Sequence, residues 1–192
     1  MLLELRTYDL RAGKAPVYLE FFRTFGVGLV TRHLPMMGYW LVESGRLNRI
    51  EHLWAYESFE ERDACRASLV KDSAWMNEFV PKAFVDVVTQ SNRFLNVKSC
   101  TGDFQMALEN RKAHHPNQPK DSAMFNANLY SLMIGGNIAP SDTEIARLAV
   151  VSGSDLGQEI VLSRGPFDTL LNTCNGAETH EVLRPISLSP LC

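Results

Sequence analysis

The fold is decided by residues 49–62, which read RIEHLWAYESFEER. The first part of this stretch contains Trp54 and Tyr56 and neither Gly nor Pro, which is typical of a β-strand. Ser58 and Glu61 then form an S-x-x-E capping box, so the strand leads directly into a helix. Side chains alternate along a strand, and here both faces carry apolar groups. We therefore expect a central strand in a sheet that is covered on both sides.

The residues before this stretch predict a strand, a helix and a second strand. Leu3–Leu10 alternates in polarity and ends in a turn. Pro16 then opens a helix that stops before Pro35, and its apolar side chains recur at helical spacing. Met37–Gly45 is a further strand, and the short loop after it predicts antiparallel pairing with the strand that begins at Arg49.

The residues after the stretch complete a four-stranded pattern. The helix at Ser58 is predicted to reach about Lys71, and helical spacing continues beyond it, with Pro81 as a kink or as the start of a second helix. Asn92–Val97 alternates as a fourth strand. The order β-α-β-β-α-β over residues 1–98 is the ferredoxin-like split βαβ pattern, an α+β fold with helices on one face of an antiparallel sheet. The other face would be a large apolar surface, so we expect it to pair with a second sheet.

Composition indicates a boundary near the middle of the chain. Residues 100–122 shift to polar and Pro-containing sequence, and we interpret their later part as a surface linker. The chain is thus predicted to hold a first domain over residues 1–99 and a smaller one over residues 123–192. Halves of this size bury a core only marginally, which favours association.

The second half contains a degenerate repeat of the first. Asn128–Leu132 is similar to Arg6–Leu10 at an offset of 122 residues, and Glu159–Phe167 is similar to Glu51–Phe59 at an offset of 108. The second copy is therefore 14 residues shorter between these segments. We expect the loss to fall on the first helix and the second strand, which leaves a shortened ferredoxin-like repeat.

Three further elements are predicted within this repeat. Ser141 and Glu144 form a capping box, which predicts a brief helix up to about Leu148. Phe167–Cys174 predicts another helix, and His180–Leu188 predicts a closing strand despite its proline.

The composition is that of a globular protein and gives no basic surface for nucleic acid. Hydrophobic residues make up 45% and charged residues 21% of the chain, and the net charge is −3. No run of about 18 apolar residues occurs, so no membrane span is predicted. The N-terminal residues alternate like a strand and do not resemble a signal peptide. We expect a cytoplasmic protein with no membrane or nucleic-acid partner.

The cysteines and histidines carry no metal or redox signature. Cys65, Cys100, Cys174 and Cys192 have no close pair, and reduced thiols are expected in the cytoplasm. No two histidines have the H-x-x-x-H spacing that holds zinc on a helix. The sequence therefore predicts no metal and no cofactor.

Two groups of residues resemble a known family. Residues 5–8 read LRTY at the start of the first strand, and residues 52–56 read HLWAY and lead into SFEER at residues 58–62. In this order they resemble the NIPSNAP family, over about the first hundred residues and only weakly beyond. The resemblance implies a ferredoxin-like domain of the dimeric α/β barrel type, in which two sheets pack face to face.

The wider superfamily implied by this resemblance includes monooxygenases, haem-degrading enzymes and chlorite dismutase-like proteins. Such proteins keep their ligand in a cavity between sheet and helices, whereas NIPSNAP proteins have no settled biochemical activity. Fold analogy does not establish chemistry. Three function classes stay open: a small-molecule binding protein or scaffold, a monooxygenase or haem-linked enzyme, and a protein-interaction module. We favour the first.

The candidate ligand contacts lie in the first half. His52 lies mid-strand beside Trp54, where it can act as a base or ligand or can be a hydrogen-bonded core histidine. His33 lies near the end of the first helix and can cap that helix or bind a ligand. Arg6 and Tyr8 share a face of the first strand, where Arg6 can meet a carboxylate or phosphate of a ligand or an acidic side chain across the sheet.

We expect any bound small molecule to lie between the first sheet and its helices. The expected contacts are Arg6, Tyr8, His33, His52 and Trp54. Pockets with a few polar groups in apolar walls are typical ligand sites, although large aromatic residues in a small sheet are also typical of a filled core. No catalytic role is assigned to any residue. We also expect either a homodimer or pairing of the two repeats within one chain.

Overall fold

The decisive stretch folds as predicted. The computed structural model describes residues 1–192 and shows a strand over Arg49–Tyr56, followed by a helix that Ser58 caps. The Ser58 hydroxyl accepts a hydrogen bond from the backbone N–H of Glu61 at 3.3 Å. The Glu61 carboxylate in turn accepts one from the backbone N–H of Glu57 at 2.6 Å. These bonds satisfy backbone donors that the first helical turn leaves free.

Eight strands form one closed barrel in which all neighbouring pairs are antiparallel. The strands are β1 (Leu2–Leu10), β2 (Met36–Ser44), β3 (Arg49–Tyr56), β4 (Val87–Cys100), β5 (Leu129–Gly135), β6 (Glu144–Gly153), β7 (Glu159–Gly165) and β8 (Thr179–Pro185). Around the barrel the order is β1-β3-β2-β8-β5-β7-β6-β4. The fold is therefore α+β with a closed barrel.

Short helices cover the outside of the barrel or connect its strands. They are α1 (Ala15–Phe21), α2 (Val27–Val30), α3 (Phe59–Leu69), α4 (Val80–Ala83), α5 (Gly102–Glu109) and α6 (Phe167–Leu171). Two π-helical turns, Phe22–Gly26 and Trp75–Phe79, lie between α1 and α2 and directly before α4. None of these helices has both the length and the apolar character needed to span a bilayer.

The alternation along β3 separates two cores. Leu53 and Ala55 belong to a cluster of 22 buried residues inside the barrel, to which both halves of the chain contribute. Ile50 and Trp54 belong to a second cluster of 19 buried residues, which lies between the sheet of the first half and its helices. Each face of β3 is thus covered, as its apolar side chains predict.

The barrel closes within a single chain. The pairs β2–β8 and β4–β6 join the two halves, so the apolar face of the first sheet is covered by strands of the second half. Within each half the strands follow the order fourth, first, third, second. Helix α6 begins at Phe167 after β7, just as α3 begins at Phe59 after β3.

The middle of the chain is more ordered than its polar composition indicates. Residues 102–109 form α5, and Phe104 belongs to the core inside the barrel. Residues 110–122 contain neither helix nor strand. This part is fastened to the first π-helical turn, because the buried guanidinium of Arg23 donates to the carbonyls of Pro119 at 2.9 Å and Lys120 at 2.8 Å.

The prediction of a helix that begins at Ser141 is wrong. Its residues lie in β6, which pairs with β4 on one side and with β7 on the other. The Ser141 hydroxyl accepts a bond from the backbone of Thr143 and caps no helix. Ala146, Leu148 and Val150 point into the barrel at the two-residue period of a strand, and this pairing outweighs the local capping signal. The chain has no helix between β5 and β6, as predicted, whereas the strand that was also expected to be lost is present as β6.

Candidate functional site

Strand pairing places three side chains in one row on the helix-covered face of the first sheet. His52 on β3 lies opposite Arg6 on β1 and opposite Tyr39 on β2. Directly opposed residues share a face of the sheet. The helices α1 and α3 cover this row. Tyr39 belongs to the core between the sheet and these helices, and so does Trp54, which lies two residues after His52.

A cavity of about 30 Å³ lies between this face and the helices. Arg6, Tyr8, His52 and Trp54 line it, so four of the five predicted contact residues lie together. The remaining wall is mostly aromatic or aliphatic and comes from both the sheet and the helices. It consists of Tyr18, Phe22, Val30, Leu34, Tyr39, Arg66, Leu69 and Trp75.

His52 is a neutral hydrogen-bond donor in this site. The indole N–H of Trp54 donates to its Nδ1 at 2.6 Å, and because an indole can only donate, the ring proton of His52 lies on Nε2. Burial lowers the pKa of His52 well below its ordinary value, and the positive charges of Arg6 and Arg66 lower it further. The Nδ1 lone pair is occupied, so His52 has no free basic nitrogen while this bond persists.

Glu4 is the carboxylate that pairs with both Arg6 and Arg66, and it is fully buried on the same face of β1 as Arg6. It accepts hydrogen bonds from Arg6 at 3.0 Å, from Arg62 at 2.9 and 3.0 Å, from Arg66 at 3.2 Å and from Asn92 at 2.7 Å. Burial alone would raise the pKa of Glu4, but these bonds and charges outweigh it and lower the pKa to about 2. Three guanidinium groups meet this carboxylate, and Arg62 also pairs with the exposed carboxylate of Asp63 at 3.3 Å, which leaves a surplus of one positive charge.

Three buried donors beside the cavity have no acceptor. They are Nε of Arg6, Nε of Arg66 and Nε2 of His52, and all three residues line the cavity. Guanidinium nitrogens can only donate, and so can the protonated Nε2 of a neutral imidazole. A buried donor without a partner costs about 1–3 kcal/mol. The cavity is therefore suited to an oxygen-rich, negatively charged group.

A family model for NIPSNAP matches residues 3–101, which is half of the chain. The chain belongs to the NIPSNAP family. The match confirms the resemblance seen in the LRTY and HLWAY segments, and it includes all the residues that line the cavity. The second half of the barrel lies outside the NIPSNAP region.

Curated relatives match the same region. The mouse Protein NipSnap homolog 3B is 45% identical over 86 residues, which are 43% of this chain and 34% of that protein. The human Protein NipSnap homolog 3A is 38% identical over 78 residues, which are 40% of this chain and 31% of that protein. The chain thus spans about a third of the length of these relatives.

Solved structures match the whole barrel as well. An anthrone oxidase-like protein aligns over 96% of this chain and 90% of its own chain, with a TM-score of 0.53 and 8% sequence identity. At this identity the match shows the fold alone, and it extends beyond the NIPSNAP region to the second half.

His33 is not part of the cavity. Its Nδ1 lies 2.8 Å from the hydroxyl of Ser68, and its Nε2 lies 3.2 Å from a carboxylate oxygen of Asp72. These contacts join the end of the first helical segment to α3 and the residues after it. His33 thus lies outside the cavity at His52, and its role as a ligand contact stays a prediction.

Both π-helical turns of the NIPSNAP region contribute to the cavity wall. Phe22 comes from the first turn and Trp75 from the second. The turns pack closely because Gly26 has no side chain: a Cβ atom at this position would lie 2.3 Å from the ring of Phe79. Single π-helical turns are frequent at functional sites, where they reposition side chains.

Several important residues of the site were not predicted from the sequence. Arg62 and Arg66 lie four residues apart on α3, which places them on one face of the helix. That spacing, together with the alternation of Glu4 and Arg6 on β1, is a signal for a charge cluster. Trp75 carries no comparable signal, because aromatic residues are typical of any core.

The cavity does not fit a haem macrocycle. Pockets for drug-sized ligands measure roughly 300–1,000 Å³, whereas this one measures about 30 Å³. An axial histidine also needs a free nitrogen lone pair, and in His52 the hydrogen bond from Trp54 occupies it. The haem-linked function therefore has no support in this site.

Proposed function

We propose that this protein binds a compact anion, such as a carboxylate, in the cavity of the NIPSNAP region. The oxygen atoms of the ligand would accept hydrogen bonds from Nε of Arg6, Nε of Arg66 and Nε2 of His52. The observation that carries this proposal is that three residues lining one cavity each have a buried donor without an acceptor, beside a surplus of positive charge.

The size of the cavity limits the ligand. A buried water needs about 10–15 Å³ of such space, so 30 Å³ accommodates two or so atoms of that size. This is sufficient for the two oxygens of a carboxylate. The aromatic walls formed by Tyr8, Tyr39 and Trp54 suit a small apolar remainder, and a larger ligand requires side chains of the cavity wall to move.

The arrangement favours binding over proton abstraction. A general base needs an unprotonated nitrogen or oxygen within reach of the substrate. The Nδ1 of His52 accepts the indole proton of Trp54, and its Nε2 carries a proton. The Glu4 carboxylate already accepts bonds from three arginines and one asparagine. Neither group is free to accept a proton from a ligand.

Calorimetric titration with sodium acetate tests the proposal. We expect saturable binding to the parent protein and at least about tenfold weaker binding to Arg66→Met, because a hydrogen bond to a charged group contributes about 1.5–3 kcal/mol. Arg62→Met is the matched control: Arg62 also binds Glu4, yet it does not line the cavity. We expect this variant to bind acetate within about threefold of the parent.

Equal losses in the two arginine variants would contradict the proposal. Such a result would mean that acetate binding depends only on the state of Glu4 and not on contact with Arg66. Absence of any saturable acetate binding to the folded parent protein would contradict it as well.

We further propose that the barrel arose as two ferredoxin-like units in one chain, the second without its first helix. The shared strand order and the equivalent positions of Phe59 and Phe167 at helix starts support this interpretation. Closure within the chain means that the fold does not require a homodimer. Dimerisation and a cytoplasmic location stay predictions.

A further inference from the structure

A second cavity, of about 210 Å³, lies beside α1 and α4, and we call it the α1–α4 groove. Its wall is mainly apolar and consists of Leu10, Val17, Tyr18, Phe21 and Ala83. Val17 is 59% exposed although it is apolar. Tyr18 is the only residue that lines both this groove and the cavity at His52, so the two spaces are adjacent but separate.

The rim of the α1–α4 groove is positively charged. Lys14, Lys82 and Asp86 complete its lining. The carboxylate of Asp86 lies 3.4 Å from the ammonium group of Lys14 and 3.4 Å from the guanidinium group of Arg11, so it is already neutralised. The ammonium group of Lys82 is paired with no carboxylate. Three positive charges against one negative charge leave a surplus of two.

We propose that the α1–α4 groove binds an amphiphilic monoanion, namely a carboxylate that carries a medium-length alkyl chain or a single ring. The apolar part would lie against Val17, Phe21 and Ala83, and the carboxylate would lie at the ammonium group of Lys82. This site does not depend on the anion site at Arg6 and Arg66, since it shares neither arginine with it.

The dimensions of the groove select the ligand class. Its volume is below the roughly 300 Å³ at which pockets for drug-sized ligands begin, so long acyl chains and multi-ring compounds do not fit inside it. A small polar anion such as acetate would leave the apolar wall exposed to water and would gain little binding free energy from contact with that wall. Burying a methylene group strengthens binding up to about fourfold.

Sodium octanoate is a suitable probe, with binding measured by calorimetry on the full chain. We expect saturable binding that is weaker for hexanoate and undetectable for butanoate. Lys82→Met keeps most of the length of the side chain and removes its charge, and we expect it to weaken octanoate binding about two- to fivefold, the upper part of the range for an exposed ion pair. Lys71→Met is the matched control, because Lys71 is exposed, is unpaired and lies outside the groove.

Three results would overturn this proposal. The first is no saturable octanoate binding to the folded parent protein. The second is equal affinity of Lys82→Met and the parent for octanoate. The third is loss of octanoate binding in Arg66→Met, which would place the probe in the cavity at His52. Unchanged octanoate binding in Arg66→Met, with acetate binding lost, would support two independent sites.

Discussion

Glu4→Gln is expected to lower the free energy of unfolding by about 3–5 kcal/mol at neutral pH, the range for removing one partner of a buried ion pair. The substitution leaves the guanidinium groups of Arg6 and Arg66 without a carboxylate and removes the buried partner of Arg62, which keeps only the exposed Asp63. Urea unfolding followed by circular dichroism measures the change. Glu43→Gln is the control, because Glu43 pairs with Arg184 at an exposed position, and its loss should cost less than about 1 kcal/mol.

The same carboxylate gives a defined pH dependence. Glu4 has a pKa of about 2 in the folded protein and an ordinary value of 4.5. The folded state therefore binds the proton more weakly than the unfolded state. Its stabilising contribution is complete above about pH 4.5 and disappears as the pH falls toward 2. Between these limits the parent should lose stability more steeply than Glu4→Gln, and parallel curves for the two proteins would contradict the ion cluster.

Glu51→Gln is expected to act in the opposite direction and stabilise the protein at alkaline pH. Glu51 is buried inside the barrel, where burial and then the negative charge of Glu181 raise its pKa to about 8. The hydroxyl of Thr7, which donates to Glu51 at 2.8 Å, and the charges of Arg93 and Arg49 offset only part of this rise. The folded protein thus favours the protonated, neutral form.

The sign of this effect follows from the two pKa values. Because the folded pKa lies above the ordinary value of 4.5, the stability supplied by neutral Glu51 is complete below about pH 4.5 and is lost as the pH rises through 8. Glutamine stays neutral and can still accept the bond from Thr7. With about 1.4 kcal/mol for each pKa unit, Glu51→Gln should be more stable than the parent at pH 9 by about 2 kcal/mol or more.

Unfolding in urea at pH 5 and pH 9 measures this difference. The exposed residue Glu78 provides the control, and Glu78→Gln should stay within about 0.5 kcal/mol of the parent at both values. A Glu51→Gln variant that is destabilised at both values to the same extent would show that Glu51 is ionised in the folded protein, contrary to this expectation.

Local signals in the sequence were sufficient to predict the order of strands and helices in the first half of the chain. The apolar groups on both faces of the Arg49 strand predicted two cores, and the Ser58 capping box placed α3. The same alternation brought Arg6, Tyr8, His52 and Trp54 to one face, so most of the candidate site followed from the two-residue period of a strand. His33 was placed by the spacing of a helix and not by that of a strand. Its distance from the four strand residues depends on where the helix packs on the sheet.

Features that depend on distant pairing could not be predicted in this way. The capping box at Ser141 was outweighed by the pairing of β6 with two other strands. Polar residues around Phe104 concealed a helix that packs into the barrel core. The position of the ring proton on His52 depends on the indole of Trp54. The lack of an acceptor for Nε of Arg66 depends on how α3 places this side chain against β1. No local pattern reports such contacts.

The most direct measurement of the anion site is the ¹⁵N NMR spectrum of protein labelled at its histidines, with His52 assigned through a His52→Gln variant. We predict that His52 stays neutral between about pH 6 and 8, with the proton on Nε2, and that sodium acetate shifts this Nε2–H resonance in the parent but not in Arg66→Met. A His52 that titrates near its ordinary pKa, carries its proton on Nδ1 or shows no response to acetate would contradict the proposed anion site.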